Sequence, residues 1–109
     1  MDFIQGDTAV IAVKIYNADG SQRDFNSQDT VKFGLAGERN TSSRILSKTM
    51  SYDNTSQEYT VELTPAETAA LTADERYWFD IGLKTSAGKY YRVVPCTPVW
   101  IVPAVTEVD

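Results

Sequence analysis

The stretch from position 59 to position 83 constrains the fold more than any other part of the chain. It begins with apolar residues that alternate with polar ones, the pattern of a half-buried β-strand: Tyr59, Val61 and Leu63. Thr64 can then cap a helix, Pro65 suits the first helical position, and Glu67 can bond back to the cap. The helix continues to Leu71, about two turns at most, which is too short to be stable without tertiary packing.

The period-two alternation resumes after this helix, so the stretch predicts a strand, a short helix and a second strand. The same alternation predicts strands at Thr8–Tyr16 and from position 31 to position 36. We predict that the in-phase residues of these four strands are buried. They are Ile11, Val13, Phe33, Val61, Leu63, Phe79, Ile81 and Leu83.

Turn signals divide the rest of the chain into further short strands. Clusters of Asn, Asp, Ser and Gly predict turns at positions 17–20, 52–56 and 85–88, the last two within hairpins. Pro95 is expected to end a strand that begins at Lys89, and a last strand is expected from Thr97 to Val102. Phe25 is expected to anchor a polar loop to the core, and a tail is expected from Ala104 to Asp109.

Seven or so short strands with regular turns and one helical turn predict an all-β fold, an antiparallel β-sandwich with one short helix. No βαβ alternation is visible. The Cys-Trp-Cys pattern of immunoglobulin domains is absent, so "Ig-like" describes only the expected architecture. The 109 residues suffice for one core and hardly for two, so a single domain is expected over residues 1–109.

The composition argues against most catalytic chemistries. The chain has no histidine, which excludes Ser-His-Asp and Cys-His nucleophiles and histidine metal sites. Cys96 is the single cysteine, and a buried or half-buried thiol is favoured over a nucleophile. The aspartates lie mostly in turn contexts, where they bond the local backbone. We therefore predict that the protein is not an enzyme and has no catalytic residues, no cofactor and no metal.

Charge and hydropathy limit the classes of partner. The net charge is −5, and the ten basic residues are spread from Lys14 to Arg92 without clustering in the sequence, which disfavours a nucleic-acid binder. The segment Met1–Asp7 has no basic region before an apolar run, so no signal peptide is expected. The longest apolar stretch, Ala9–Val13, is far shorter than a membrane span, so no membrane partner is expected.

Aromatic residues are the positive indication of a binding surface. Trp78 is opposite in phase to Tyr77 and Phe79, and Trp100 is opposite to its two neighbours. Outward aromatic side chains suit protein interfaces or stacking on sugars. The candidate interface residues are Trp78, Asp80, Trp100, Tyr16 and Tyr90. Alternatively, loops or the short helix cover the tryptophans. For Trp78 the covered and the outward interpretations are equally supported. For Trp100 the covered interpretation is favoured, because Pro98 disturbs the strand phase.

The order of motifs resembles a known family of phage proteins. Gly6-Asp7-Thr8 leads into the first long strand, and Asp19-Gly20 is followed by Asp24-Phe25. The sequence LTPAETAAL at positions 63–71 then leads into YWFDI at positions 77–81 and Ala87-Gly88-Lys89. Together these motifs resemble the N-terminal, Ig-like domain of phage baseplate upper proteins and of related tail or fibre proteins, over nearly the whole chain.

The resemblance implies a β-sandwich that docks onto other virion proteins, often as a homo-oligomer, and helps to attach host-recognition modules. It implies no catalytic residue, and it places the protein in the virion after assembly in the bacterial host cytoplasm. We therefore expect a structural component of a bacteriophage or prophage tail, baseplate or fibre. The alternative is a carbohydrate-binding β-sandwich that uses Trp78 and the tyrosines as a stacking platform, so a glycan is the second expected partner.

Overall fold

Two β-sheets and a short helix enclose one hydrophobic core. The computed structural model describes residues 1–105, apart from the side chain of Thr41. The strands of this part of the chain are β1 (Asp2–Ile4), β2 (Ala9–Val13), β3 (Thr30–Ala36), β4 (Arg44–Thr49), β5 (Ser51–Asp53), β6 (Glu58–Leu63), β7 (Arg76–Lys84) and β8 (Tyr90–Val102). Helix α1 (Pro65–Ala69) joins β6 to β7, and a 3-10 turn at Thr41–Ser43 precedes β4. The predicted tail lies outside the described residues from position 106 onwards.

The strands form a five-stranded sheet in the order β1-β8-β7-β3-β4 and a three-stranded sheet in the order β2-β6-β5. The predicted all-β fold with a short helix is confirmed for the described residues. The prediction of purely antiparallel pairing is wrong at one edge, because β1 runs parallel to β8, with Asp2 opposite Trp100. This pairing joins the two ends of the chain, and no local sequence pattern reveals it.

The core follows the predicted alternation. Of the eight residues predicted to be buried, Val13 is half-buried at the margin of the core and the other seven are buried. Phe33 is fully buried, and its ring stacks on that of Phe79 with 5.8 Å between the ring centroids. Burial of these side chains against each other is the main term that holds the two sheets together.

The first long strand is shorter than predicted, because β2 ends at Val13 and the predicted strand ends at Tyr16. Ile15 is still buried, so the phase of the strand was correct. The turn that follows is confirmed. The Asp19 carboxylate accepts hydrogen bonds from the backbone N–H and the hydroxyl of Ser21, at 2.9 and 2.6 Å. These bonds favour the ionised form and lower the pKa of Asp19.

The predicted break at Pro95 is wrong, because β8 is one strand of 13 residues. Its register against β7 shifts on either side of Ile81, so β8 carries extra residues around Val93 and Pro95. A bulge accepts proline, since the residues in it are not required to donate to the ladder. Pro98 lies beside a free edge, because β1 covers only positions 100–102 of β8.

The polar loop between β2 and β3 is tied down by two contacts. Phe25 is half exposed, and its ring stacks on Tyr52 with centroids 4.5 Å apart, so it anchors the loop at the margin of the core. Arg23 forms a two-pronged ion pair with the fully buried carboxylate of Asp29, at 3.0 and 3.2 Å. The hydrogen bonds to Asp29 favour the charged guanidinium and raise the pKa of Arg23.

The helix start has the predicted capping box. The Thr64 hydroxyl accepts from the backbone N–H of Glu67 at 3.2 Å, and the Glu67 carboxylate accepts from the N–H of Thr64 at 2.8 Å. Lys48 donates to the same Glu67 carboxylate at 2.8 Å. Lys48 is an inward-facing residue of the edge strand β4, so this ion pair also ties the five-stranded sheet to the helix.

Candidate docking face

The outward side chains of the five-stranded sheet lie on one face. Trp78, Asp80 and Gly82 alternate with buried residues along β7. The register places Arg92 and Lys32 beside Gly82 on the two neighbouring strands. Side chains at paired positions project to the same side of a sheet. The outward phase predicted for Trp78 on this strand is therefore confirmed.

Four of the five candidate interface residues share this face. Trp100 lies opposite Arg76, two positions before Trp78 on β7, and Tyr90 lies opposite Lys84, four positions after Asp80. Tyr16 does not join them. It follows β2 of the other sheet and forms an isolated bridge with Gln22.

The fold gathers cationic side chains onto the same face. We call it the cationic face, and it is defined by six of the ten basic residues of the chain: Lys32, Arg39, Arg44, Arg76, Lys84 and Arg92. Asp80 is the carboxylate in its interior, and Asp2 and Glu38 lie at its margins. A chain with a net charge of −5 thus presents one surface on which cations outnumber anions.

The cations of this face contact its aromatic rings. The guanidinium of Arg76 lies 5.3 Å from the ring centroid of Trp78 and 5.1 Å from that of Trp100, so it bridges the two tryptophans. Arg39 lies 4.9 Å from the ring centroid of Trp78, and the Lys84 ammonium lies 5.5 Å from that of Tyr90. Each contact contributes about 0.5–1 kcal/mol at an exposed site and restricts the ring.

A shallow groove crosses the cationic face where Gly34 and Gly82 lack side chains. Arg92 lies across Gly82, where a Cβ would collide with its guanidinium, and its Nε is 3.4 Å from the Asp80 carboxylate. Arg92 therefore fills the space above the glycine, and the surface beside Trp78 is charged and not flat.

Trp100, which was expected to be the more covered of the two tryptophans, is the more exposed one. Trp100 is 47% exposed, so the favoured interpretation that it is covered is wrong, and the strand phase holds through Pro98. Trp78 is half-buried, because Arg39 and Arg76 lie over its ring. Tyr90 is 72% exposed.

Cys96 is exposed, which contradicts the prediction of a buried or half-buried thiol. It comes directly after Pro95, in the stretch of β8 where the register shifts, and it lines a hollow with Trp78 and Asp80. The bulge takes Cys96 out of the regular alternation of the strand. Alternation therefore does not predict which side of the sheet its side chain faces.

The cationic face carries several groups that can bind a partner. It offers guanidinium and ammonium donors, aromatic edges and faces, and one central carboxylate already paired with Arg92. Among residues 1–105 no three His, Cys, Asp or Glu side chains converge as metal ligands. No helix in the described part of the chain is long and apolar enough to cross a membrane.

Comparisons with protein-family models, with curated proteins and with solved structures found no match to this chain.

Sequence reasoning missed the cationic residues of this face. Lys32 carried a usable signal, since it alternates with Val31 and Phe33 and had to point outward. Arg39 and Arg44 carried none, because a loop and a bulged edge strand bring them to the face. Basic residues that are dispersed along the sequence are close together in space, because the sheet places β8, β7, β3 and β4 side by side. Dispersion along the sequence therefore does not predict dispersion on the surface.

Proposed function

We propose that this chain is a structural, non-catalytic docking component of a bacteriophage or prophage tail, baseplate or fibre. The observation that carries the proposal is the cationic face, on which Trp100 and Tyr90 are exposed and Trp78 is half-buried beneath arginine side chains of the same face. Partly exposed tryptophan, tyrosine and arginine side chains are the residues that dominate binding energy at protein interfaces. The motif resemblance supplies the partner class, which is other virion proteins, including further copies of the chain.

The finer points of the proposal follow from the same resemblance. The two sheets around one core are an Ig-like β-sandwich in architecture, and the protein is assembled in the host cytoplasm and resides in the virion. It takes no cofactor and catalyses no reaction. The core residues shared by both sheets support the sandwich, and the capped turn at 64–69 falls within the most specific resembling motif.

The alternative is a carbohydrate-binding module that stacks sugars on the same aromatic rings. Sugar stacking needs a free ring face, whereas guanidinium groups lie over both tryptophans and an ammonium lies over Tyr90. These cations compete with a neutral sugar for the ring faces. The geometry therefore favours a protein partner over a neutral glycan.

The test is incorporation into particles. Trp100→Ala removes the more exposed tryptophan, and we expect it to reduce co-purification of the chain with phage particles while the thermal midpoint stays near that of the wild type. Trp78→Ala should act in the same direction, with a modest loss of stability because two cation–π contacts are lost. Tyr16→Ala is the matched control, an exposed aromatic residue away from the face.

Three results would contradict the proposal. The first is a chain that is absent from purified particles of a phage that encodes it. The second is equal incorporation of the Trp100→Ala and Tyr16→Ala proteins and the wild type. The third is binding on a glycan array that Trp100→Ala abolishes, which would support the carbohydrate alternative.

A further inference from the structure

The outer face of the three-stranded sheet carries the opposite charge to the cationic face. Glu58 and Glu62 alternate with buried residues along β6, and Asp53 lies opposite Glu58 on β5. The three strands of this sheet contain no lysine or arginine. We call this surface the acidic face, defined by Asp53, Glu58 and Glu62.

An exposed apolar side chain lies among these carboxylates. Val10 is 64% exposed and is opposite Glu62 on the neighbouring strand. Lys48 reaches the edge of this sheet, but its ammonium is paired with the Glu67 carboxylate at 2.8 Å. The acidic face therefore has three carboxylates and one exposed apolar side chain on its edge strand, and exposed Lys14 directly follows that strand beside the position of Glu58. Its net negative charge complements the cations of the other face.

The two charged faces point away from each other, because each is the outer side of a sheet whose inner side forms the shared core. We infer that the partner of the cationic face is the acidic face of a second copy, so that copies stack head to tail. This inference rests on the proposed function for the statement that the cationic face is an interface, and it adds the identity of the partner.

Charge disfavours the symmetric arrangements. Pairing two cationic faces would bring six cations against six, and pairing two acidic faces would bring carboxylates against carboxylates. Both juxtapositions are repulsive, whereas cationic against acidic is attractive. A contact between two different surfaces of identical chains is heterologous, and it generates a ring or an open stack, not a closed two-fold dimer.

The area of the smaller face limits the strength of the contact. With strands about 4.8 Å apart and about 3.3 Å per residue, three strands of five, three and six residues cover on the order of 200 Å². This is well below the roughly 800 Å² per partner of a standard interface. We therefore expect weak association of the free chain, with a Kd on the order of 0.1 mM or higher, that salt weakens further.

The experiment uses two variants, each altered on a different face, first alone and then mixed. Lys32→Gln with Lys84→Gln neutralises part of the cationic face and leaves the acidic face intact. Glu58→Gln with Glu62→Gln does the reverse. Sedimentation velocity over a concentration series should show open-ended association of the wild type at low salt, and a loss on the order of tenfold in the association constant for each variant alone.

An equimolar mixture of the two variants decides the geometry. Each protein keeps the face that the other has lost, so the mixture should form a dimer through one intact contact and nothing larger. Lys89→Gln, at the tip of the β7–β8 hairpin, is the control and should associate as the wild type does. Thermal melts of every protein exclude loss of fold as the cause.

Several outcomes would overturn the inference. They are a wild type that stays monomeric up to about 1 mM at low salt, association that the mixture does not restore, and a monomer that binds heparin or nucleic acid through Lys32 and Lys84. A monomeric chain whose Trp100→Ala variant still fails to enter particles would overturn the stacking alone and leave the proposed function standing. Head-to-tail association without any incorporation into particles would overturn the proposed function and leave the stacking inference standing.

Discussion

At the scale of single residues, the hydroxyl of Thr68 joins the start of the chain to the helix. Thr68 is fully buried, and its Oγ1 accepts from the backbone N–H of Gly6 at 3.1 Å and donates to the carbonyl of Asp7 at 2.7 Å. Gly6 has a φ of +87°, which favours glycine at this crossover between the two sheets. One side chain therefore fixes the route by which β1 and β2 reach different sheets.

Thr68→Val keeps the shape of the side chain and removes both bonds. We expect a loss of about 1–2 kcal/mol in the free energy of unfolding, because two part-buried hydrogen bonds of the Thr68 hydroxyl are lost. Urea unfolding measures this value. Thr72→Val changes an exposed threonine of the same segment and serves as the control. Equal midpoints for the two variants would show that the crossover does not depend on Thr68.

The Glu67 carboxylate gives stability a dependence on pH. Its pKa is lowered, first by the hydrogen bond from Lys48 and then by the bond from the N–H of Thr64. A pKa that is lower in the folded state contributes stability above the unfolded value of about 4.3, and this contribution is lost as the pH falls through the folded pKa.

Glu67→Gln should therefore be less stable than the wild type at pH 7 by up to about 1 kcal/mol, since the ion pair is partly exposed. The difference should shrink below about pH 4, where the wild-type carboxyl becomes protonated. Unfolding midpoints between pH 2 and pH 7 give the comparison, with Glu75→Gln, an exposed residue outside the helix, as the control. A difference that is constant with pH would rule out the ion pair as its source.

At the scale of elements, the helix between β6 and β7 depends on its cap, because five residues cannot form a stable helix alone. Thr64→Ala removes the acceptor for the N–H of Glu67 and should cost on the order of 1 kcal/mol. Ser86→Ala, in the exposed tip of the β7–β8 hairpin, should leave the urea midpoint unchanged. A Thr64→Ala protein with an unchanged midpoint would mean that packing alone holds the helix.

Elements with a local pattern were predictable from the sequence, and elements made by distant partners were not. Alternation identified the buried sides of β3, β6 and β7, and the cap residues identified the helix. The parallel pairing of β1 and the continuity of β8 through Pro95 depend on contacts across the chain. A turn signal or a proline describes a local preference, which the pairing of neighbouring strands overrides.

The same division applies to the candidate site. Trp78 and Asp80 could be placed outward from their own strand, but four of the six cations of the face come from other segments. They are Lys32 of β3, Arg39 of the loop that follows it, Arg44 of β4 and Arg92 of β8. Trp100 was misjudged because Pro98 was expected to shift the strand phase, whereas a proline beside a free edge leaves it unchanged.

At the scale of the whole molecule, the two sheets divide the charge of an acidic chain between opposite sides. The cationic face holds six of the ten basic residues, while the acidic face consists of strands without any. Such a distribution orients an approaching partner before contact, and this steering falls steeply with ionic strength. Net charge, which was the quantity available from composition, conceals the division.

The single cysteine offers a direct test of the cationic face as an interface. Cys96 is exposed and lines a hollow with Trp78, so a bulky maleimide attached there should obstruct any protein that covers this face. We expect the labelled chain to lose association in sedimentation velocity and incorporation into particles, while its thermal midpoint is unchanged.

Two controls separate obstruction from other effects of the reagent. A small methylthio group at the same sulfur should have little effect, because it adds little volume. Moving the label to the β7–β8 hairpin tip, with Cys96→Ser and Ser86→Cys in one chain, controls for the reagent. If label at the two positions acts alike, obstruction of the cationic face is not what the reagent reports, and the contact lies elsewhere on the molecule.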